Sequence, residues 1–154
     1  MSNVHLDRFM SYRVNRVSEA VVRIVSKVYE REVDLTLREL RVLRTVGSAG
    51  GIVHSAIVEQ VLFEKSLVSR LIAGLVRKSY LKREIDERDA RRTWMTLTKE
   101  GAAVLQKADK LGLAMNRVWL SALDVQERKS LDASLDKLLA GLDRLAERFD
   151  VPAK

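Results

Sequence analysis

Apolar residues at alternating steps of three and four predict long amphipathic helices towards both ends of this 154-residue chain. Side chains with that spacing lie on one face of a helix. The first stripe, within residues 5–32, consists of Val14, Val17, Val21, Ile24 and Val28. The last stripe consists of Leu131, Leu135, Leu138, Leu142, Leu145 and Phe149. A third stripe consists of Val104, Ala108, Leu111, Met115 and Val118.

The C-terminal stripe has the a/d spacing of a helix that packs against a partner helix. Long terminal helices on either side of a small central module favour mutual burial across a two-fold axis, which predicts a homodimer. The predicted dimerisation residues are those of the first stripe together with Leu131, Leu135, Leu138, Leu142 and Leu145. The alternative is that the three stripes form a bundle within one chain.

Between the terminal helices the pattern breaks into short segments. Thr36 and Glu39 have the spacing of a capping box at the start of a helix. The buried face of that helix is predicted to be Leu40, Val42, Leu43 and Val46, and its end is predicted at the cluster Gly47, Ser48, Gly50 and Gly51. A second short helix is predicted over Ser55–Leu62, then a turn over Phe63–Lys65 and a third helix over about Lys65–Lys78.

Two short helices joined by a tight turn indicate a helix-turn-helix unit, whose second helix can enter the major groove of DNA. The segments Tyr80–Glu84 and Thr93–Leu97 are rich in strand-forming residues and flank the charged sequence IDERDARR. They predict a β-hairpin, or wing. The expected fold is mainly α with a small β-wing: a winged helix-turn-helix module flanked by N- and C-terminal dimerisation helices. The predicted divisions are a dimerisation helix at 1–35, the DNA-binding module at 36–98, dimerisation helices at 99–150 and a loose tail at 151–154.

The charge of the chain favours a polyanionic partner. Lys and Arg number 28 against 21 Asp and Glu, a formal charge of +7. Between Thr36 and Gly101 there are 13 basic and 8 acidic residues, so +5 of this excess falls in the predicted reading module. Nucleic acid is therefore a better candidate than an anionic membrane surface.

The predicted DNA contacts lie on the third helix, just before the second helix, and in the wing. Lys65, Ser66, Ser69 and Arg70 fall outside the apolar set of the third helix and share a polar face. His54, just before the second helix, is expected to touch phosphate or solvent, and Ser55, at the start of that helix, is expected to contact DNA. In the wing we expect Arg88, Arg91 and Arg92 to contact DNA, with Arg91 in the minor groove and Asp89 bracing the loop through a salt bridge.

Residues 37–105 resemble the DNA-binding region of the multiple antibiotic resistance regulator (MarR) family. The resemblance is carried by LRELRVLRTV, by KSLVSRLIAGLVRK and by DARRTWMTLTKEG. The last segment is similar to the family pattern of Asp, Arg, Leu-Thr and Gly, here Asp89, Arg91, Leu97, Thr98 and Gly101. Two positions depart from the family. Ser79 stands where a glycine is usual, and Glu64 precedes the reading helix, where its charge would repel phosphate unless it turned away.

The resemblance implies a homodimer whose two winged modules straddle a pseudo-palindromic operator on double-stranded DNA. It implies that Ser66, Ser69 and Arg70 lie in the major groove and Arg91 in the minor groove. It also implies a repressor that is released by a small, aromatic or anionic ligand bound between the dimerisation helices and the DNA module. Candidate residues for that pocket are Tyr12, Arg13, Arg16 and Trp119.

Other classes of function find less support. The chain has no cysteine, and its two histidines, His5 and His54, lie in no catalytic or metal-ligand motif, so we expect neither an enzyme nor a cofactor or metal. No apolar run is long enough for a membrane span, and the expected location is the cytoplasm. The main alternative is a non-specific or architectural DNA-binding protein without a small-molecule effector.

Overall fold

The structure is a computed structural model that describes residues 5–85 and 93–152. The chain forms two compact units, Met1–Gly112 and Leu113–Lys154. Six α-helices and a three-stranded antiparallel sheet are present in the described residues. The predicted fold class, mainly helical with a small β-wing, is confirmed.

The first unit begins with a short 3-10 turn at Leu6–Arg8 and continues into α1, Met10–Val33. The sequence predicted one helix over this region, and the break between the two lies at Phe9, whose backbone is extended. The C-terminal end of α1 is buried through Tyr29 and Val33. Earlier along α1, apolar side chains are exposed, among them Val14, Val17 and Ile24.

Helix α2, Leu37–Ala49, begins at the predicted capping box. The Thr36 hydroxyl accepts a hydrogen bond from the Glu39 N–H at 3.2 Å, and the Glu39 carboxylate accepts one from the Thr36 N–H at 2.8 Å. The prediction that the glycine cluster ends the helix was wrong for Gly47 and Ser48, which lie inside α2. Gly50 ends it with a left-handed backbone, φ 67°.

Helices α3, His54–Val61, and α4, Lys65–Arg77, pack against α2. The prediction placed α3 one residue later at each end; Leu62 instead terminates it with φ 56°. The core between the three helices is fully buried and apolar because each helix contributes one face: Leu40, Leu43, Val46, Ile57, Val61, Val68, Ile72 and Leu75. This packing fixes α4 relative to the rest of the first unit.

The sheet has the order β1-β3-β2, with β1 at Ile52–Val53, β2 at Leu81–Ile85 and β3 at Thr93–Leu97. Strands β2 and β3 form the predicted hairpin, with Leu81 opposite Leu97 and Ile85 opposite Thr93. The first strand of the hairpin lies one residue later than predicted. Strand β1 was not predicted; it pairs Ile52 with Met95 and Val53 with Trp94.

Helix α5, Lys99–Trp119, begins in the first unit and ends in the second. In the first unit it is joined to α2 by an ion pair between Arg44 and Asp109, 2.7 Å apart. Gly112 lies against Tyr29, so close that an added Cβ would stand 2.4 Å from the Tyr29 hydroxyl oxygen. These contacts hold α1, α2 and α5 together.

The second unit contains the end of α5, a 3-10 turn at Leu120–Ala122 and α6, Val125–Phe149. Asp124 and Glu127 form a capping box at the start of α6. The predicted leucine stripe lies on this helix. Most of its apolar side chains are more than two-fifths exposed: Leu135, Leu138, Leu142, Leu145 and Phe149.

Candidate nucleic-acid interface

Helix α4 has one apolar face in the core and one polar face towards solvent. Val68, Ile72 and Leu75 are completely buried. Lys65, Ser66, Ser69 and Arg70, which we call the reader face, are all exposed. The structure therefore brings together the four residues that the sequence predicted on α4. Within the described part of the chain, neither Lys65 nor Arg70 forms an ion pair, so both cations are available to a polyanion.

His54 and Ser69 are in contact. The His54 Nε2 atom lies 3.0 Å from the Ser69 hydroxyl oxygen, and that hydroxyl donates to the Lys65 carbonyl oxygen at 3.0 Å. The first residue of α3 is thereby joined to the reader face of α4. Ser55, the next residue of α3, is exposed.

The surroundings of His54 are positively charged. Partial burial lowers the pKa of the imidazole below its usual 6.5, and the charges of Lys65 and Arg83 lower it further. Arg83 lies on β2 and is exposed. It was not among the predicted DNA contacts. Only its charge pointed to this role, because alternation along β2 places Arg83 on the same side of the strand as Leu81, which is buried.

The C-terminal end of α4 is held by a Schellman motif. The Tyr80 N–H donates to the Leu75 carbonyl and the Ser79 N–H to the Val76 carbonyl, each at 2.9 Å. Ser79 has the left-handed backbone, φ 59°, that this motif requires. The position where the family usually has glycine thus has the conformation that favours glycine.

Thr98 and Gly101, two residues of the family pattern, attach the start of α5 to this same turn. The Thr98 hydroxyl donates to the Ser79 carbonyl at 2.6 Å and accepts from the Gly101 N–H at 2.8 Å. A Cβ on Gly101 would stand 1.9 Å from the Tyr80 carbonyl oxygen, so only glycine fits. The Leu-Thr-x-x-Gly pattern therefore has a structural cause.

Lys78 connects the end of α4 to the start of α2. Its Nζ lies 3.1 Å from the Glu39 carboxylate and donates to the Asp34 carbonyl oxygen at 2.6 Å. Burial alone would lower the pKa of Lys78, but Glu39 and Asp34 outweigh it, and the net pKa is raised above 10.5. These contacts fix the far end of the reading helix.

The wing, which we define as β2, β3 and the segment 86–92 between them, is described only at its base. Lys82 and Glu84 form an exposed ion pair on β2. The predicted wing contacts Arg88, Arg91 and Arg92, and the bracing residue Asp89, lie outside the described residues. Glu64, the other departure from the family, is exposed immediately before α4, and its carbonyl accepts from the Val68 N–H.

Three of the predicted ligand-pocket residues lie together on α1. Arg13 and Arg16 line a shallow concavity of about 440 Å³ with Asp7, Val17 and Ala20. The Arg16 guanidinium lies 6.0 Å from the centre of the Tyr12 ring and forms an ion pair with Asp7 at 3.4 Å. Trp119 belongs to the second unit, where its indole N–H donates to Asn116 at 3.0 Å.

Residues 5–85 and 93–152 contain neither a candidate metal site nor a candidate membrane-spanning helix. No group of three or more His, Asp or Glu side chains is arranged to hold a metal ion. None of the helices there combines the length and the apolar character needed to cross a membrane.

Comparison with known proteins identifies the reading module. A sequence profile of the MarR family matches residues 33–92, from the end of α1 into the wing. The transcriptional regulator HosA of Escherichia coli O127:H6 is 29% identical over 96 residues, which are 62% of this chain and 71% of HosA. Residues 33–92 are therefore similar to the MarR-type module. The proteins that the chain resembles are transcriptional regulators and not enzymes.

Solved structures of MarR-type regulators share the fold. The DNA complex of S. aureus MepR superposes with a TM-score of 0.75 at 23% identity, covering 86% of this chain and 98% of MepR. PcaV of Streptomyces coelicolor, solved with its natural ligand, gives a TM-score of 0.73 at 22% identity, covering 90% of this chain and 96% of PcaV. At these identities the likeness shows the winged helix fold.

Proposed function

We propose that this chain is a MarR-family regulator, a cytoplasmic homodimer that binds a pseudo-palindromic operator on double-stranded DNA and represses transcription until a small ligand releases it. The observation that carries the DNA-binding part is the reader face. One side of α4 is locked into the core while Lys65, Ser66, Ser69 and Arg70 remain exposed. A helix fixed in this way can present side chains to base edges in the major groove.

The cations around the reader face are arranged for contact with the DNA backbone. Lys65 at the start of α4 and Arg83 on β2 both act electrostatically on His54 at the start of α3. Three elements thus bring basic side chains to one region of the surface. We propose that Lys65, Arg83 and His54 bind phosphate and that Arg70 reads a base edge.

The wing completes the proposed interface. The segment 86–92 joins two paired strands, and its sequence contains Arg88, Arg91 and Arg92 with Asp89. In the proposal Arg91 enters the minor groove and Asp89 braces the loop. Arg91→Ala should then make the slope of log affinity against log salt shallower by about two units per dimer, and an unchanged slope would contradict this role.

The exposed apolar residues on the terminal helices support a dimer. Val14, Val17 and Ile24 on α1 are each close to half exposed or more, and so are Leu138 and Leu142 on α6. Rows of apolar side chains at helical spacing are unfavourable in water and are covered by a second helix in coiled-coil packing. A second copy of the chain would supply that helix. We expect light scattering to give twice the 17.5 kDa chain mass, and monomer from Leu138→Asp combined with Leu142→Asp.

Release by a ligand is supported by two observations. Arg13 and Arg16 line a concavity beside the Tyr12 ring, which offers positive charge and an aromatic surface to a small anion. PcaV, which shares the fold, was solved with its natural ligand. A ligand that binds more tightly to a form unsuited to DNA would lower operator affinity. Salicylate and benzoate are suitable first probes, and each should lower the affinity of the wild type for operator DNA. If Arg16→Ala abolishes this effect of the probe, the site is supported. If Arg16→Ala leaves the effect unchanged, the site is contradicted.

The experiment for sequence-specific binding compares two arginines on α4. We would select duplexes from a random library with the purified protein and measure their affinity, and that of shuffled duplexes, for the wild type, Arg70→Ala and Arg77→Ala. Arg77 is exposed in the last turn of the same helix and serves as a matched control for charge. Arg70→Ala should relax the preference at one position of each half-site, at a cost of about 1 to 3 kcal/mol. Equal wild-type affinity for selected and shuffled duplexes would favour the architectural alternative.

A further inference from the structure

The two serines of the reader face differ in their hydrogen bonds. Within residues 5–85 and 93–152, the Ser66 hydroxyl bonds to no other residue, so it can donate or accept. The Ser69 hydroxyl oxygen, in contrast, is placed 3.0 Å from the Lys65 carbonyl oxygen and 3.0 Å from His54 Nε2. Both serines are exposed. They therefore offer different chemistry to a ligand at the same surface.

A serine hydroxyl has one proton and two lone pairs. The Ser69 proton is donated to the Lys65 carbonyl, and His54 Nε2–H then donates to one of the lone pairs. If the imidazole carries its proton on Nδ1 instead, the serine proton goes to Nε2. In both arrangements the only proton of Ser69 is held inside the protein. What remains for an external partner is a lone pair.

We infer that Ser69 is a specificity-determining residue that accepts a hydrogen bond from the exocyclic amine of a base, adenine N6 or cytosine N4, in the major groove. Those amines are donors at the major-groove edge, whereas guanine O6 and N7 and thymine O4 are acceptors and would face a lone pair. This inference rests on the proposed function, because it needs α4 in the major groove. His54 is a positioning residue in this scheme, since its contact and that of the Lys65 carbonyl together orient the Ser69 hydroxyl.

The experiment uses base analogues that delete one atom group at a time. In each half-site of a selected duplex, single adenines are replaced by purine, which lacks the N6 amine, or by 7-deazaadenine, which lacks the N7 acceptor. Cytosines are replaced by 2-pyrimidinone, which lacks the N4 amine. Dissociation constants are measured by fluorescence anisotropy for the wild type, Ser69→Ala and the matched control Ser66→Ala. Thermal melting checks that each variant is folded.

At one position of each half-site, deletion of the amine should weaken wild-type binding about fivefold, which corresponds to about 1 kcal/mol. Ser69→Ala should bind the amine-deleted duplex as well as its parent, because the acceptor is gone. Ser66→Ala should keep the wild-type sensitivity. The analogues also weaken base pairing within the duplex. That effect would lower the affinity of all three proteins equally, whereas loss of a base contact lowers it only for the proteins that contain Ser69.

His54→Phe tests the positioning role, because it keeps a ring but removes the nitrogen that contacts Ser69. Only the Lys65 carbonyl then holds the hydroxyl proton, so the hydroxyl can rotate and donate to DNA as well as accept. The variant should therefore discriminate less between an amine and an acceptor at the Ser69 position and keep the wild-type preference at every other position. The phosphate contact proposed for His54 is lost as well, and this loss should lower affinity for all duplexes equally, so it is separated from the change in preference at the Ser69 position.

Three results would overturn the inference. Ser69→Ala could retain the wild-type sensitivity to the amine, or Ser69 could couple to N7 or another acceptor atom, or His54→Phe could leave the preference at that position unchanged. In each case sequence-specific binding, and with it the proposed function, would stand. If the wild type bound selected and shuffled duplexes equally, the proposed function would fail and the inference with it.

Discussion

Glu39 and Lys78 form an ion pair of 3.1 Å that joins the first turn of α2 to the end of the reading helix α4. Glu39 is almost fully buried and is also the carboxylate of the capping box at Thr36. One side chain therefore starts α2 and positions the end of α4. Asp34, which terminates α1, contributes its carbonyl to the same ammonium group. Three helices meet at this cation.

Lys78→Met should lower the free energy of unfolding by about 1 to 3 kcal/mol, because it leaves a buried carboxylate without its cation. Lys82→Met is the matched control. Lys82 pairs with Glu84 on the exposed surface of β2, and its loss should cost less than about 1 kcal/mol. Urea denaturation of both variants gives the comparison. If both variants lost the same free energy of unfolding, the burial of Glu39 would not strengthen its ion pair with Lys78.

The ion pair between Lys78 and Glu39 makes the stability of the fold depend on pH in the alkaline range. The pKa of Lys78 is raised in the folded chain, so folding favours the protonated amine. This contribution is fully present below the unfolded pKa of 10.5 and is lost as the pH rises through the higher folded pKa. The difference in unfolding free energy between wild type and Lys78→Met should therefore be constant from about pH 8 to 10 and shrink above 10.5. A difference that grew with pH would contradict the raised pKa.

His54 should give opposite pH effects on stability and on DNA binding. Its pKa is lowered in the folded chain, by burial first and by Lys65 and Arg83 next. The unfolded chain then takes up the proton first, so the free energy of unfolding falls as pH decreases below 6.5 and is constant above it. Bound phosphate would offset the charges of Lys65 and Arg83 and raise this pKa, so DNA affinity should increase as pH falls.

Both effects are measured at constant ionic strength between about pH 5.5 and 7.5. His54→Gln should flatten the pH dependence of both stability and affinity, while the other histidine, His5, is unchanged and serves as an internal control. If His54→Gln and the wild type have the same pH dependence of affinity, no phosphate lies near His54 in the complex.

Gly101→Ala should be strongly destabilising, by about 3 kcal/mol or more, since the added Cβ would overlap the Tyr80 carbonyl. Gly74→Ala is a control in another helix. An added Cβ at Gly74 meets only ordinary contacts, with Glu39 at 3.8 Å as the nearest atom, and alanine favours helix by about 1 kcal/mol. Chemical denaturation should thus show opposite signs for the two substitutions. A mild effect at Gly101 would mean that α5 can shift away from the turn.

Ser79→Gly should increase the free energy of unfolding by about 0.5 to 1 kcal/mol. The left-handed backbone at φ 59° costs an L-residue about 1 to 2 kcal/mol, and the greater freedom of glycine in the unfolded chain offsets part of the gain. Ser79→Ala, which keeps the strain, should change little. A lower stability for the glycine variant would show that the serine side chain contributes to the turn.

Local patterns in the sequence predicted most of the reading module. The capping box of Thr36 and Glu39 predicted the start of α2, because its two residues are only three positions apart and can be recognised locally. The helical spacing of Val68, Ile72 and Leu75 predicted the buried face of α4. Gly47 was misread as a helix end because its fit depends on Leu97 and Leu105, which are distant in sequence. Strand β1 has only two residues and is defined by their pairing with Met95 and Trp94. Two residues are too few to show the alternation that predicts a strand.

The candidate site was predictable to a similar degree. Helical spacing placed Lys65, Ser66, Ser69 and Arg70 on one face, and the structure shows them exposed there. The contact between His54 and Ser69 joins residues fifteen apart on two different helices, so spacing alone could not predict it. Arg83 was missed because it shares one side of β2 with the buried Leu81, so alternation alone favours a core position for it.

The most direct test of sequence-specific reading by α4 is the ratio of affinities for a selected operator and for shuffled duplex at one fixed salt concentration, for wild type and Arg70→Ala. We predict that the wild type prefers the operator by about a thousandfold or more, and that Arg70→Ala loses affinity for the operator while its affinity for shuffled duplex falls far less. An affinity ratio near one for the wild type, or equal losses on both duplexes for Arg70→Ala, would contradict reading of the DNA sequence by this helix.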